Sequence, residues 1–198
     1  MSWPDDVTLT GAHASLEPLG PQHAEGLAAA SADGEVWRLW YTRVPSPEEV
    51  PAEIERRLKL KASGMMHPFA VRDAAGRLAG MTTYCNIDPV SPRVEIGYTW
   101  YAKSVQRTAL NTECKLMLLR HAFESLGCLA VEFRTNQFNF ASRRAIERLG
   151  AKLDGVLRSH SKNPDGSLRD TYVFSITAAE WPAVRTHLTW QLERPRGG

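Results

Sequence analysis

One stretch of the sequence, residues 95–124, constrains the fold more than any other. It begins with a β-branched and aromatic segment at 95–101, which predicts a strand, and passes through a polar turn at 102–112 into a helix at 113–124. The start of a helix carries unpaired backbone N–H groups and partial positive charge, and this combination binds phosphate. The stretch therefore predicts a phosphorylated cofactor at the turn, with the other elements aiming a substrate at it.

The rest of the chain predicts one sheet with helices on both faces. Strands are expected at residues 14–19, 68–72, 78–84, 93–100, 129–135, 151–157 and 171–177. Helices are expected after Pro21, Ser46, Asn139 and Thr177, beside the central helix. Gly97 within its strand predicts a bulge or a close backbone approach. Hairpins combined with strand–helix–strand crossovers are typical of an α/β or α+β sheet.

Length and charge limit the class of protein. The 198 residues suit one domain with a real core. The 24 basic and 22 acidic residues leave a net charge of +2, which favours neither nucleic acid nor an anionic membrane as a partner. No apolar run reaches the length of a membrane span and the N-terminus is no signal peptide, so we expect a cytoplasmic protein.

The cysteines and histidines argue against disulfide and metal chemistry. Cys85, Cys114 and Cys128 form no CxxC pair and are odd in number, which predicts buried, reduced thiols. The six histidines are scattered without metal-ligand spacing, so no metal is expected. His121 lies on the apolar stripe of the central helix, which favours a core role over a catalytic one.

Two polar helix starts are candidate binding elements. Beside the central helix the possible donors are Gln106, Arg107, Thr108, Asn111 and Thr112. They suit either an anion site or an ordinary polar cap, and the lack of glycine weakens the anion interpretation because glycine lets backbone approach phosphate closely. Asn139 and Ser142 begin the next helix, where they either cap it or hold an amide-bearing ligand between the two preceding strands.

The segment at residues 35–43 is dense in aromatic side chains. It contains Trp37, Trp40, Tyr41 and Arg43. The segment either covers the core or forms the wall of an acceptor pocket with an apolar body and an anion-tolerant edge, because Trp and Tyr combine rigid apolar area with a polar group. The sequence leaves both interpretations open.

Four motifs in this order carry a family resemblance. They are Glu95-Ile-Gly-Tyr, Gln106-Arg-Thr-Ala-Leu-Asn-Thr-Glu, Asn139-x-x-Ser142 and Ile146-Glu-Arg-Leu-Gly-Ala. As a set they resemble the GNAT acyl-CoA-dependent N-acetyltransferases, and look most like the subgroup that includes ribosomal-protein N-terminal acetyltransferases. The resemblance covers residues 12–178 as a single N-acetyltransferase domain, with a helix at 179–194 packed on it or extending it and loose termini at 1–11 and 195–198.

The resemblance implies a mixed, mostly antiparallel, seven-stranded twisted sheet splayed at its centre, with helices on both faces. Acetyl-CoA would lie in the V between the strands that end near Tyr101 and Thr135. The backbone of Trp100 and Tyr101 would pair with the pantetheine amides, the 106–112 turn would hold the pyrophosphate, and Asn139 would reach the pantetheine arm. The expected cofactor-binding residues are Trp100, Tyr101, Gln106, Arg107, Thr108, Ala109, Leu110, Asn111, Thr112, Asn139, Ser142 and Arg143.

Two features depart from the family pattern. Ala109 and Asn111 occupy the small-residue positions of the phosphate loop, where the family usually has glycine followed by glycine or alanine. Ile146 stands where many relatives place a tyrosine that protonates the departing thiolate. That proton must then come from another hydroxyl or from water.

A mechanism follows as a hypothesis. An amine attacks the thioester directly and needs a base, because an ammonium with a pKa well above 7 must first lose a proton. Glu95 is the candidate base, with a salt bridge or turn contact as the alternative. A backbone N–H near Trp100 would stabilise the oxyanion. Ser142 is the leading candidate acid, ahead of Tyr98 and Tyr172.

The expected function is transfer of an acetyl group from acetyl-CoA to a primary amine, at a peptide N-terminus or on a small molecule. A non-catalytic CoA or acyl-CoA sensor or interaction module is the alternative, and a nucleotide-binding protein would prefer ATP to CoA. A thiol hydrolase is disfavoured, since no cysteine is plausibly paired with a histidine. The amine acceptor stays open, and the resemblance admits a homodimer.

Overall fold

The structure, a computed structural model, describes residues 3–194, and these form one eight-stranded sheet flanked by five α-helices. The strands are β1 Leu9–Thr10, β2 Ala14–Pro18, β3 Met66–Asp73, β4 Leu78–Asp88, β5 Arg93–Tyr101, β6 Ala130–Asn136, β7 Lys152–Lys162 and β8 Leu168–Thr177. The helices are α1 Ala24–Ala32, α2 Val50–Ala62, α3 Leu110–Arg120, α4 Phe140–Arg148 and α5 Trp181–Glu193. The strand order is β1-β2-β3-β4-β5-β6-β8-β7, and β5–β6 is the parallel pair in this otherwise antiparallel sheet.

The predicted fold class is confirmed, and the predicted count of seven strands is one short. The additional strand is β1, whose two residues pair with β2 and are too few to show a periodic pattern in the sequence. The sequence predicted a loose segment at 1–11, whereas Trp3, Val7 and Leu9 pack against the main core. Residues 195–198, also expected to be loose, lie outside the described residues.

The predicted ends of helices agree with the structure where a glycine follows the helix. The predicted ends differ from the structure where contacts distant in the sequence set them. Gly127 and Gly150 follow their helices with φ of +67° and +97°, a conformation that glycine adopts without steric cost. β7 extends past its predicted end at 157 to Lys162, because β8 pairs with it over the whole length. α5 begins at Trp181 rather than 178, since the preceding residues form a turn in which the Glu180 carboxylate accepts the Thr177 N–H at 2.9 Å.

The sheet has a core on each face. Side chains from α3, α4 and α5 pack on one face, where Leu118, Ile146 and Leu188 join Val94 and Ile96 of β5. α1 and α2 cover the other face beside β3, β4 and the end of β5, and their core is Leu19, Leu27, Ala30, Val50, Ile54, Ala70, Met81, Trp100 and Ala102. We call these the α3 face and the α2 face of the sheet.

The sheet opens between its two parallel strands. β5 and β6 pair at three positions, the last of which joins Glu95 to Glu132. Beyond that point β5 continues to Tyr101 and β6 to Asn136 without pairing to each other. The splayed centre therefore leaves one edge of each strand free, and Glu95 marks the point of separation.

A bulge in β5 accompanies the separation. Tyr98 has φ of +50°, and the register between β4 and β5 shifts next to it. A bulge bends a strand and increases its twist, so β5 turns away from β6 at this level. The bulge that Gly97 predicted is confirmed, one residue further on.

Glu113, in the first turn of α3, ties the first two strands to the central helix. Its buried carboxylate accepts the backbone N–H groups of Ala12 at 3.0 Å, His13 at 2.5 Å and Ala14 at 2.7 Å. These donors belong to the turn between β1 and β2 and to the start of β2. One side chain therefore satisfies three main-chain groups about a hundred residues away in sequence.

Glu113→Ala should lower the free energy of unfolding by about 2 kcal/mol or more, because it leaves backbone donors without partners in a mostly buried position. Urea unfolding followed by circular dichroism measures the change. Glu147→Ala, at an exposed position of α4, should stay within about 0.5 kcal/mol of the parent protein. Equal stability of the two variants would show that the β1–β2 turn does not depend on the carboxylate.

Candidate active site

Glu95 is a nearly buried carboxylate at the point where β5 and β6 separate. It lies on the α2 face, since its neighbours Val94 and Ile96 point into the opposite core. Its side chain is 7% exposed. The amide of Asn86 donates to Glu95 Oε2 at 2.6 Å, and Arg134 Nε lies 3.5 Å from the same oxygen. Glu95 therefore makes the ion pair of the structural interpretation, and it also lies at the gap, as the interpretation of Glu95 as a base requires.

Gly97 makes room for this carboxylate. A Cβ at residue 97 would lie 2.7 Å from Glu95 Oε1 and 3.2 Å from the sulfur of Cys85. The glycine therefore serves the close approach of a side chain, in addition to preceding the bulge. The Glu95 carboxylate consequently lies along β5 towards Tyr98.

The surroundings of Glu95 favour its protonated form. Burial raises its pKa above the ordinary carboxyl value, while Arg134 acts in the opposite direction. Glu132 draws on the same arginine: it accepts Arg134 at 3.0 Å and Arg93 at 2.7 Å. Much of the positive charge next to Glu95 is therefore already matched by Glu132, which leaves burial as the main influence on the pKa of the Glu95 carboxyl.

Two buried cations hold the bulge from opposite faces. From α2, Arg57 donates to the carbonyl of Tyr98 at 3.1 Å and to the hydroxyl of Thr83 at 2.7 Å, and its Nε donates to Glu53 at 2.7 Å. From α3, Lys115 donates to the hydroxyl of Thr99 at 3.0 Å. Together they carry two positive charges, and only one carboxylate, the partly buried Glu53, pairs with them. The surroundings of the bulge are therefore electropositive.

Sequence reasoning missed both cations. Lys115 is 6% exposed on a helix face that packs on the sheet, and burial lowers its pKa to about 8. Arg57 is 1% exposed. The available signal was positional: each falls on the buried side of its helix, where a charged residue needs partners, but the partners lie on strands distant in sequence.

The turn at 106–112 presents donors at its first residues and buries its last ones. Gln106, Arg107 and Thr108 are exposed, and the Gln106 amide donates to the Tyr101 carbonyl at 3.1 Å. Arg107 takes the left-handed conformation with φ of +63°. Ala109 has φ of −67° and so adopts helical angles that need no glycine. The missing glycine at that position therefore costs the backbone nothing.

The residues that follow enter the first turn of α3. Leu110 and Thr112 are buried, and the Thr112 hydroxyl accepts from Arg148 at 3.2 Å. Asn111 is half-buried. The first N–H groups of α3 have no carbonyl four residues earlier within the helix, so the backbone of this turn, rather than Thr112 or Leu110 side chains, is the element suited to an anion.

On the other side of the gap, α4 begins with the expected cap. Asn139 Oδ1 accepts the N–H of Ser142 at 3.0 Å, which is the capping interpretation of this motif. Ser142 and Arg143 are half-buried, and the guanidinium of Arg143 lies 4.0 Å from the ring centre of Tyr172. Ile146 is buried in the main core and offers no proton.

The aromatic loop between α1 and α2 reaches the far strand of the gap. The rings of Trp40 and Phe138 lie 5.5 Å apart, and Phe138 belongs to the connection from β6 to α4. Trp40 also packs against Tyr41, with ring centres 5.6 Å apart. Trp40 is 48% exposed and so covers little of the core, while Trp37 and Tyr41 are half-buried and Trp37 packs under Arg38 at 5.0 Å.

Tyr98, the cysteines and His121, which the sequence also singled out, are exposed, buried and half-buried respectively. Tyr98 is 49% exposed on the α2 face beneath Arg56 and Arg57. The three cysteines are free and buried, which confirms the prediction. His121 stacks on Tyr84 as a core residue, although its Nδ1 has no hydrogen-bond partner among the described residues.

Residues 3–194 lack two kinds of element. No helix in that range is both long and apolar enough to span a membrane. The same range contains no group of three or more His, Cys, Asp or Glu side chains placed to hold a metal ion.

The fold and the site define a class of protein: a sheet that splits between two parallel strands, with a helix start on one side of the gap and a buried carboxylate at its base. Residues 14–152 match the acetyltransferase (GNAT) domain family. The chain therefore belongs to the GNAT acetyltransferases, a family that uses acetyl-CoA.

Individual relatives agree with this assignment. YdaF of Bacillus subtilis (strain 168), a candidate ribosomal N-acetyltransferase, is 32% identical over 106 residues, which span 54% of this chain and 57% of YdaF. A GCN5-related N-acetyltransferase from Brucella melitensis is 31% identical with a TM-score of 0.85, over 94% of this chain and 86% of that chain. RimJ of Mycobacterium smegmatis, in complex with CoA-disulfide, shares the fold with a TM-score of 0.78 at 22% identity, over 96% of each chain.

Lys115→Met should stabilise the folded protein by about 1 to 3 kcal/mol at pH 7, because it removes a buried charge while the hydroxyls beside it can still bond each other. Burial lowers the pKa of Lys115 to about 8 from 10.5. Between these values the unfolded chain binds a proton that the folded protein has released, so Lys115 makes stability rise with pH there.

Urea unfolding at pH 7 and pH 9.5 tests this expectation. The stability gain of Lys115→Met over the parent protein should shrink at the higher pH. Lys59→Met, at an exposed position of α2, should show a small and pH-independent difference. A Lys115→Met protein that is less stable at both pH values would mean that the ammonium stabilises the bulge more than its burial costs.

Proposed function

We propose that this protein transfers an acetyl group from acetyl-CoA to the primary amine of a peptide N-terminus or a small molecule. The observation that carries the proposal is the buried Glu95 carboxyl where β5 and β6 separate. A carboxyl there with a raised pKa is suited to take the proton of an amine that attacks in the gap. Membership of the GNAT family supports acetyl-CoA as the donor.

The two sides of the gap suit an extended cofactor with amides and phosphates. β5 does not pair with β6 at Trp100 and Tyr101, so an amide-bearing chain can pair with its main-chain groups there as an added strand would, and it would share the Tyr101 carbonyl with the Gln106 amide. Arg107 and the N–H groups at the start of α3 suit the phosphates. Asn139 and Arg143 line the opposite side at α4. When bound, acetyl-CoA supplies the activated acetyl group as a thioester.

The proton steps fall to residues of this chain. Glu95 accepts a proton from the amine, directly or through water. A backbone N–H near Trp100, next to the bulge that Arg57 and Lys115 contact from opposite faces, stabilises negative charge that develops on the thioester oxygen. Ser142 is the hydroxyl that we assign to protonate the thiolate, since Ile146 is buried and apolar.

One observation favours a second function. Ile146 replaces the hydroxyl that many relatives place on this helix, and it is 7% exposed in the core. A CoA-binding module without turnover would retain the gap and the helix start but need no acid at that position. Turnover over an acceptor panel separates the two functions.

The acceptor side is formed by the aromatic loop, through Trp37, Trp40, Tyr41 and Arg43. The relative YdaF is described as a ribosomal N-acetyltransferase candidate, so peptide N-termini are the first acceptors to test. Amino acids, polyamines and aminoglycosides complete the panel. A homodimer and a cytoplasmic location remain predictions from the sequence.

Glu95→Gln should lower kcat by about a hundred- to ten-thousandfold while CoA affinity stays unchanged, because the amide cannot accept a proton. The assay measures free thiol released from acetyl-CoA with each acceptor, and calorimetry measures CoA binding. In the parent protein, kcat/KM should fall as pH drops through the raised pKa of Glu95, and the variant should lose that limb.

Glu25→Gln, at an exposed position of α1, is the matched control and should keep full activity. A Glu95→Gln protein with full turnover across pH would overturn the base assignment. CoA binding by the parent protein without thiol release from any acceptor would support the CoA-binding module instead.

Gly97→Ala should reduce kcat by about a hundredfold with little change in the thermal midpoint, because the new methyl group displaces the Glu95 carboxylate and small misplacements of catalytic groups are costly. Gly155→Ala, where a Cβ meets no atom within 4 Å, is the control. Equal kcat of the two variants would show that the position of the carboxylate over residue 97 is not needed for turnover.

A further inference from the structure

Arg169 lies on the α2 face of the sheet, beyond the end of β6. In β8, residues 169, 171, 173 and 175 alternate onto one face, and Ser175 pairs with Glu132, which in turn pairs with Glu95. The last residue of β6, Asn136, pairs with Thr171. Arg169 therefore stands past the open end of the gap, on the same face as Glu95.

The guanidinium of Arg169 has a hydrogen-bond donor without an acceptor. Its Nε is buried and has no hydrogen-bond partner among residues 3–194. No ion pair between Arg169 and a carboxylate occurs in that part of the chain either, whereas Arg93, Arg134 and Arg158 each have one. Leaving a guanidinium donor buried without a partner is unfavourable, so this position is suited to an anion that the protein does not itself supply.

A second cation lies within electrostatic range of Arg169. Arg43, on the loop between α1 and α2, is close enough for its charge to add to burial in lowering the pKa of Arg169. Glu95 and Tyr98 also lie within electrostatic range of Arg169, and their charges act on its pKa in the opposite direction. Arg43 also makes no ion pair within residues 3–194. Two neighbouring cations that make no ion pair are stabilised when an anion binds both.

The geometry points to an anion subsite at Arg43 and Arg169, on the acceptor side of Glu95. It would receive a carboxylate carried by the acceptor, while the amine of the same molecule lies at Glu95. The inference rests on the proposed function and narrows its acceptor to amines that bear a carboxylate. That carboxylate is either the α-carboxylate of a free amino acid or the side chain of an acidic residue next to a peptide N-terminus.

Two pairs of acceptors test the subsite and separate the two sources. The first is L-alanine against L-alaninamide, and the second is Ala-Asp-Gly-Gly-amide against Ala-Asn-Gly-Gly-amide. In at least one pair the carboxylate-bearing acceptor should have a kcat/KM about tenfold or more above that of its neutral partner, the size expected for a charge-assisted hydrogen bond. Arg169→Gln should abolish this preference, mainly by raising KM for the carboxylate-bearing acceptor, while the neutral acceptor is still acetylated.

The neutral acceptor also reports on folding, because a damaged protein would lose both activities. Arg169→Glu should reverse the preference towards Ala-Lys-Gly-Gly-amide. Arg77→Gln, in the exposed turn between β3 and β4, is the matched control and should retain the parent preference.

Equal kcat/KM within both pairs in the parent protein, or a preference that survives Arg169→Gln, would overturn the subsite. If no acceptor releases thiol, the proposed function fails, and the subsite is then decided by calorimetry. The CoA-loaded parent should bind Ala-Asp-Gly-Gly-amide about tenfold more tightly than the Asn peptide, and Arg169→Gln should bind the two equally. Equal binding by the parent protein would reject the subsite independently of catalysis.

Discussion

The interaction on which the site depends is the parallel pairing of β5 and β6, which stops after Glu95 meets Glu132. The bulge at Tyr98 twists β5 away from its neighbour, and beyond Glu95 the two strands no longer pair with each other. Unpaired strand edges inside a domain need partners. A ligand with amides can provide them, so the break in the sheet and the capacity to bind an extended cofactor have one structural cause.

The charged side chains around this break in the sheet are largely buried. Arg57 and Lys115 approach the bulge from opposite faces, and both are almost inaccessible to solvent. In such surroundings Coulomb interactions are stronger than in water, so these cations and the nearby Glu95 influence each other and any charge formed in the gap. Two arginines on this side differ in their ion pairs. Arg134 pairs with Glu132, while Arg169, on the proposed acceptor side, makes no ion pair within residues 3–194.

Sequence patterns predicted the parts of the fold whose signals are local. Gly127 and Gly150 end their helices, because each takes a backbone conformation that glycine adopts without steric cost. Gly97 indicated the bulge indirectly: it makes room for the Glu95 carboxylate next to Tyr98, the residue with the left-handed backbone. β1 was missed because two residues carry no period, and the length of β7 was missed because its outer half is exposed on both sides and held by pairing with β8. The partners of Arg57 and Lys115 were missed because they come from strands that are far away in sequence.

The sequence by itself determined the family and the order of elements, and it indicated Glu95 as the candidate carboxylate. The order and spacing of motifs along the chain can be recognised without knowing which residues are in contact. Only the tertiary structure decided what each polar residue does. It placed the Glu95 carboxylate over Gly97, engaged Thr112 with Arg148, and brought Arg43 to Arg169 across more than a hundred residues of chain. The physical reason is that burial and Coulomb energies depend on distance in space, and chain packing alone sets that distance.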